Sequence, residues 1–233
     1  AVSKFVKDAF IKKTRIPKNK IVLVYSLIDH SKFSFTNTLK DINGARRELG
    51  ILQGEFVVGF SGRIGEVKGW QRIVDAAVLA REKKYKIKFL IAGDGPDREK
   101  LLKSIEKRGL QNYINYLGYV KDMVWFYSLV DCLAVPSSSE SLGLVVIEGQ
   151  AMARPVIATN VPALNEIIAD EVNGLLFNPG QPSNLMEKIR LLSREEVLRK
   201  KIIENGLVSS RKYSLVSYLA DLKKQYINLF DNK

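Results

Sequence analysis

At 233 residues, 46% hydrophobic and 27% charged, the chain is long enough to bury a sizeable core and has the balance of a globular protein. No apolar run approaches the roughly 20 residues needed for a membrane-spanning helix. The single cysteine, Cys132, excludes an internal disulfide, and a reducing cytoplasm is the expected compartment. The net charge of +12, from 37 Lys and Arg against 25 Asp and Glu, favours an anionic partner: a nucleotide, a nucleic acid or an acidic membrane. The basic residues are spread over helix faces, as in 81–84 and 199–201. These read as solvated helix faces, and nucleic acid is not expected.

In chain order, residues 2–13 read as a helix, 21–25 as a strand and 29–38 as a polar linker. Together, 1–38 look like the end of one domain plus a connection. From residue 56 short apolar runs alternate with helical patterns. The strands are 56–60, Ile87–Ala92, 114–117, Cys132–Val135, 156–158 and Leu175–Phe177. Between them lie helices at 69–82, with apolar Ile73, Val74, Ala77, Val78 and Ala80, and at Arg98–Lys107, 124–130 and 144–152. Surface helices follow at 185–192 and 195–205, and an amphipathic helix at 215–230. This alternation predicts an α/β fold, a Rossmann-like doubly wound parallel sheet with its ligand site at the carboxyl ends of the strands. The main domain is expected over 39–210, with 211–233 a C-terminal helix.

The stretch 136–148, P-S-S-S-E-S-L-G-L-V-V-I-E, carries the most chemistry. It follows a buried strand and places Glu140 on a small-residue turn and Glu148 eight residues later in an apolar helix. A strand, a tight turn and a helix bring backbone N–H groups and a positive helix end to the sheet edge. Carboxylates at the turn and in the helix could then bind hydroxyls on either side of a phosphate. Glu148 follows Val145, Val146 and Ile147, so its side chain should be buried and in need of a partner.

Other glycine turns follow strands. In 61–69, Gly59, Gly62 and Gly65 lack the dinucleotide spacing and no P-loop pattern is present. That turn does offer two cations, Arg63 and Lys68, able to neutralise a diphosphate leaving group. The turn Ala92-Gly93-Asp94-Gly95-Pro96 also misses the dinucleotide pattern, with Arg98 where glycine is required. Leu117-Gly118-Tyr119-Val120 could meet a base edge. No Cys, His and Asp cluster has metal-ligand spacing, the lone His30 sits in the linker, and the serines at 137, 138, 139 and 141 lack a partner histidine.

In this order the motifs resemble the C-terminal, donor-binding domain of retaining GT-B glycosyltransferases, the "glycosyl transferases group 1" or GT4 family. The resemblance covers about residues 20–230. It runs from Gly62-Arg63 and Lys68-Gly69 through Ala92 to Pro96, Leu117-Gly118, Pro136-Ser137 and the Glu140/Glu148 pair. It ends at Pro155 to Ala158, Glu166 and Asn173 to Leu176.

This resemblance implies a UDP- or GDP-sugar as substrate, no cofactor and no metal bound to the fold. Arg63 and Lys68 would hold the diphosphate. Ser141, Leu142, Gly143 and Leu144 would present backbone amides, Glu140 would meet the transferred sugar and Glu148 the ribose. Gly62 and Gly95 would let backbone approach, and Tyr119 would border the base. The acceptor would be a glycan or a lipid-linked molecule, with peripheral association at the inner face of a membrane. The helix at 211–233 would cross back to an acceptor domain, of which 1–38 is the end, so the chain reads as the donor half of a larger enzyme. A sugar-nucleotide epimerase, a phosphorylase and a non-catalytic nucleotide-sugar-binding module are the alternatives. Two departures stand out: Ser26-Leu27-Ile28-Asp29 replaces a usual Asn-Gly before Asp, and Gly149 stands in a helix it should weaken by about 1 kcal/mol relative to Ala. Close packing or backbone approach at 149 is therefore expected.

Overall fold

The computed structural model describes residues 1–38 and 40–231. Helix α1 (Lys4–Lys13) and the short α2 (Ile42–Glu48) lead into an alternating series of strands and helices. These are β1 (Phe56–Ser61), α3 (Trp70–Glu82), β2 (Ile87–Ala92), α4 (Arg98–Lys107), β3 (Ile114–Gly118) and α5 (Met123–Leu129). Then come β4 (Cys132–Val135), α6 (Leu144–Ala151), β5 (Val156–Thr159), the one-turn α7 (Pro162–Asn165) and β6 (Leu175–Phe177). The chain continues through α8 (Pro182–Arg194), α9 (Glu196–Ser210) and α10 (Leu215–Asp231).

The six strands form one parallel sheet in the order β3-β2-β1-β4-β5-β6, as the alternation predicts. The chain winds outward from β1 through β2 to β3, then returns to lay β4 on the other side of β1. That reversal opens a crevice outside the carboxyl ends of β1 and β4, where open α/β sheets bind ligands.

Both faces of the sheet are covered, which is why its strands read as continuous apolar runs. Alternate residues feed two layers. Val58, Phe60, Phe89 and Ile91 pack with Ile73 and Ala77 of α3, Leu101 of α4 and Ile189 of α8. Val57, Leu90 and Leu133 pack on the opposite face with Phe126 of α5 and Ile147 of α6. Each large side chain so buried contributes about 1.5–3 kcal/mol of transfer free energy.

Gly149 is explained by this packing. Helix α6 lies so close to β4 that a Cβ at position 149 would overlap Leu133 Cδ1 and press on Val156 Cγ2. The intrinsic helix penalty is accepted in exchange for contact with the strand.

Two expectations are corrected. Residues 21–25 are not a strand. They run extended and bond to the chain start, with the Ala1 amino group donating to the Val22 carbonyl at 2.6 Å and Val24 N to the Ala1 carbonyl at 2.9 Å. A strand needs a neighbour along its length, and Val22 remains 40% exposed. Conversely, α2 forms where no helix was expected because polar contacts hold it. The Asp41 carboxylate accepts from Gly44 N at 2.7 Å, and Arg46 donates to the Leu129 carbonyl and to Asp131, both at 2.9 Å. Such anchoring leaves little trace in hydrophobic periodicity.

Candidate active site

The site is built where the turns after β1, β2 and β4 converge. The first two turns are stacked backbone to backbone: Gly62 N donates to the Ala92 carbonyl at 3.0 Å, Ile64 N to the Asp94 carbonyl at 2.9 Å and Asp97 N to the Ile64 carbonyl at 3.0 Å. Gly93 adopts φ 138° against this stack, and a Cβ there would overlap the Gly62 carbonyl. Only glycine meets both demands. Gly95 packs equally closely on the Ile64 backbone, so its smallness serves turn stacking, and it does not line the adjacent cleft.

That cleft has a volume of about 410 Å³. Gly62 and Arg63 form one wall, Tyr119 stands at the rim 78% exposed, and Glu148 and Tyr127 form the other wall. Four of the residues singled out from the sequence thus share one cavity: Gly62, Arg63, Tyr119 and Glu148. Arg63 has no ion-pair partner among the described residues, so its guanidinium is available to an anion.

Lys68 and Glu140 lie outside the walls of this cleft, at the ends of the neighbouring strands β1 and β4. Lys68 Nζ meets Glu140 Oε1 at 2.7 Å, and Ser137 Oγ donates to the same oxygen at 2.7 Å. The two loops carrying them are tied together. Ser138 N donates to the Val67 carbonyl at 2.8 Å, Arg72 Nη1 donates to the Pro136 carbonyl at 3.0 Å, and a Cβ on Gly69 would overlap that carbonyl. The sequence-distant cation and carboxylate are therefore fixed as a unit.

The β4 loop ends in Gly143, which caps α6 at φ 97° with Leu164 so near that a Cβ would press on its Cδ2. Amides at the start of a helix lack the usual acceptor four residues back; here Val146 N donates to the Gly143 carbonyl at 2.9 Å, which leaves the amides of Leu144 and Val145 at the helix end. Leu142 is buried and secures the loop, whereas Ser141 and Leu144 are exposed. Val145 of that first turn lines the cleft, which joins the loop to the Arg63 wall.

Glu148, one turn further on, is held differently. Tyr127 OH donates to its Oε2 at 2.6 Å. Burial raises the Glu148 pKa above its ordinary value, opposed by the Tyr127 hydrogen bond and the Lys32 charge. Burial and the adjacent carboxylate push the Tyr127 phenol well up, so it stays a hydrogen-bond donor. This is the partner that a buried carboxylate demanded.

Tyr127 and Ser137 are the functional candidates that the sequence analysis did not single out. Ser137 enters the sequence analysis within the Pro136-Ser137 motif and as a serine without a partner histidine; its hydroxyl orients Glu140. Tyr127 sat unremarked in an apolar helix, although a buried tyrosine hydroxyl usually finds a partner. Glu166, part of the motif series, is bonded elsewhere: it accepts from Lys4 N at 2.9 Å, Phe5 N at 2.6 Å and Tyr25 OH at 3.2 Å, docking the start of α1. Among the described residues no group of three or more His, Cys, Asp or Glu is gathered to hold a metal ion.

A parallel α/β sheet with cations and carboxylates at its switch point defines a class of ligand-binding α/β proteins, and comparison with known proteins supplies the family. The profile of Glycosyl transferases group 1 matches residues 41–208, and the chain belongs to that family. It is 32% identical over 236 residues to the uncharacterized glycosyltransferase MJ1178 of Methanocaldococcus jannaschii, covering 99% of this chain and 59% of that protein. It is 30% identical over 221 residues to the D-inositol 3-phosphate glycosyltransferase of Corynebacterium urealyticum, covering 91% of this chain and 52% of the relative. Among solved structures, Anabaena Alr3699/HepE in complex with UDP and glucose superposes with a TM-score of 0.88 at 23% identity, over 98% of this chain and 62% of that one. The fold is thus the Rossmann-like half seen in GT-B glycosyltransferases, and the chain spans little more than half the length of these relatives.

Proposed function

We propose that the chain is the donor-binding half of a retaining GT4 glycosyltransferase that uses a UDP- or GDP-sugar. The observation that carries this reading is the convergence of Gly62-Arg63 with Glu148 in one cleft, beside the locked Lys68–Glu140 pair on the adjoining strand end. Arg63 and Lys68 supply positive charge for the diphosphate, with the α6 amides completing its cradle. Glu148 takes the ribose hydroxyls, Tyr119 borders the base and Glu140 faces the transferred sugar. When the bond from the sugar to the diphosphate breaks, negative charge grows on the leaving oxygen. Each preorganised donor aimed there lowers the barrier by about 3 kcal/mol, by analogy with oxyanion-hole groups. Attack on the same face of the sugar that the diphosphate leaves accounts for retention.

Family membership supports this reading, as does the UDP and glucose complex of HepE. The acceptor, a glycan or lipid-linked molecule in cell-surface polysaccharide synthesis, would be recognised by a domain that residues 1–38 terminate and α10 rejoins. The exposed Phe10 and Ile16, and Val216, Leu219 and Tyr226 of α10, are apolar surface such a domain would cover. No helix among the described residues is long and apolar enough to cross a membrane; the net charge of +12 suits peripheral attachment to an anionic inner leaflet from the cytoplasm.

Calorimetric titration with UDP and GDP tests the donor site. Binding of one nucleoside diphosphate, weakened by Arg63→Ala and by Lys68→Ala, is expected. Absence of binding by either nucleotide would remove the assignment.

A further inference from the structure

Glu148 has flexible torsions between its backbone and its carboxylate, yet a ribose contact requires that carboxylate to stand still. What fixes it is Tyr127, whose side chain is fully buried under the cleft. The phenol ring is held on two sides, by Phe126 at 5.8 Å and by Phe33 at 6.0 Å between ring centroids. Phe33 comes from the segment before the sheet, where it is itself buried and where the neighbouring Lys32 ammonium lies 5.1 Å from its ring centroid. A rigid aromatic platform thus ends in one hydroxyl, and that hydroxyl donates to Glu148 Oε2.

We infer that Tyr127 is a positioning residue for donor binding: its hydroxyl pins one oxygen of Glu148 so that the other is presented to the ribose hydroxyls of the nucleotide. This rests on the donor-site reading above and extends it to a residue that touches no ligand atom in that reading. The pinning acts before the ligand arrives, so the carboxylate loses little freedom on binding. Phe33 makes the arrangement depend on the segment before the sheet as well as on the sheet itself.

The consequence is confined to ribose recognition. Tyr127→Phe keeps the ring, its packing on Phe33 and Phe126 and the cleft wall, and removes only the oxygen that holds Glu148. The test compares whichever of UDP and GDP binds with its 2′-deoxy form, on wild-type protein and on Tyr127→Phe. Wild-type protein should prefer the ribose form by about tenfold, the worth of a hydrogen bond to a charged group. Tyr127→Phe should lose most of that preference while its affinity for the deoxy form stays within about twofold. An unchanged preference in the variant overturns the positioning role and leaves the donor site standing. Equal weakening for both forms also overturns it, marking Tyr127 as a structural residue only. Wild-type protein that binds neither nucleotide overturns the donor reading and this inference together.

Discussion

Glu140 and Glu148 are the same residue type on the same sheet edge, yet they are held by opposite physics. Glu140 sits on a loop and is neutralised by Lys68 and oriented by Ser137, with 12% of its side chain exposed against 33% for the lysine. Glu148 sits in an apolar helix and is oriented by a neutral phenol, with burial working against its charge. The first arrangement sets a carboxylate directly against a cation. The second holds a half-buried carboxylate by one hydrogen bond, at the edge of the cleft it lines. One sheet edge therefore carries two carboxylates in chemically distinct settings, which in the proposed site would serve the transferred sugar and the ribose.

The contrast breaks most visibly at Lys68. In the proposed donor site, Lys68→Ala removes one charge-assisted bond to the diphosphate, worth about 1.5–3 kcal/mol, or ten- to a hundredfold in affinity. It also leaves the Glu140 charge facing the ligand. Lys68→Ala/Glu140→Gln should therefore bind the nucleoside diphosphate several times more tightly than Lys68→Ala alone, measured by calorimetry. A double variant no better than the single one would show that the pair does not act as a unit.

A second variant separates packing from chemistry on the same helix. Gly149→Val should destabilise the protein by about 1–3 kcal/mol through overpacking on Leu133 and Val156. Denaturant midpoints would show it, and unchanged midpoints would contradict the tight α6–β4 contact.

The smallest effect is a pH dependence at Glu148. Its folded-state pKa lies above the ordinary 4.5 because burial disfavours the anion. The unfolded chain therefore gives up this proton first as pH rises. Stability is full below pH 4.5 and is lost as pH climbs through the raised folded value. Glu148→Gln escapes that loss. It should melt higher than wild type at pH 7, with the gap closing as pH falls below 4.5, while binding the ribose nucleotide less well. A gap that widens toward acid would contradict the direction of the shift.

Much of this was legible in the residues. The parallel sheet follows from apolar runs such as Ile87–Ala92 and Cys132–Val135, whose burial on both faces is written in their composition. That the turn after β1 brings two cations to the sheet edge was legible because Arg63, Lys68 and glycine occur together. The pairing of Lys68 with Glu140 was not, because it depends on β4 returning beside β1, a topological fact that no local pattern contains. Tyr127 escaped for a related reason: its partner is supplied by a different helix, and a tyrosine in an apolar run looks like core. Helix α2 escaped because Asp41, Arg46 and Asp131 stabilise it by polar contacts rather than by an apolar stripe. The segment at 21–25 has the composition of a strand but, among the described residues, no neighbouring strand to join.

The central claim is that the Arg63–Lys68 turn and Glu148 grip opposite ends of one nucleotide. A crystal structure of this chain with UDP or GDP bound tests it most directly. The account predicts the diphosphate between Arg63, Lys68 and the start of α6, with the ribose hydroxyls on Glu148. A nucleotide seated elsewhere, such as the cationic hollow formed by Lys40, Arg46 and Arg154 beside Asp131, would contradict it.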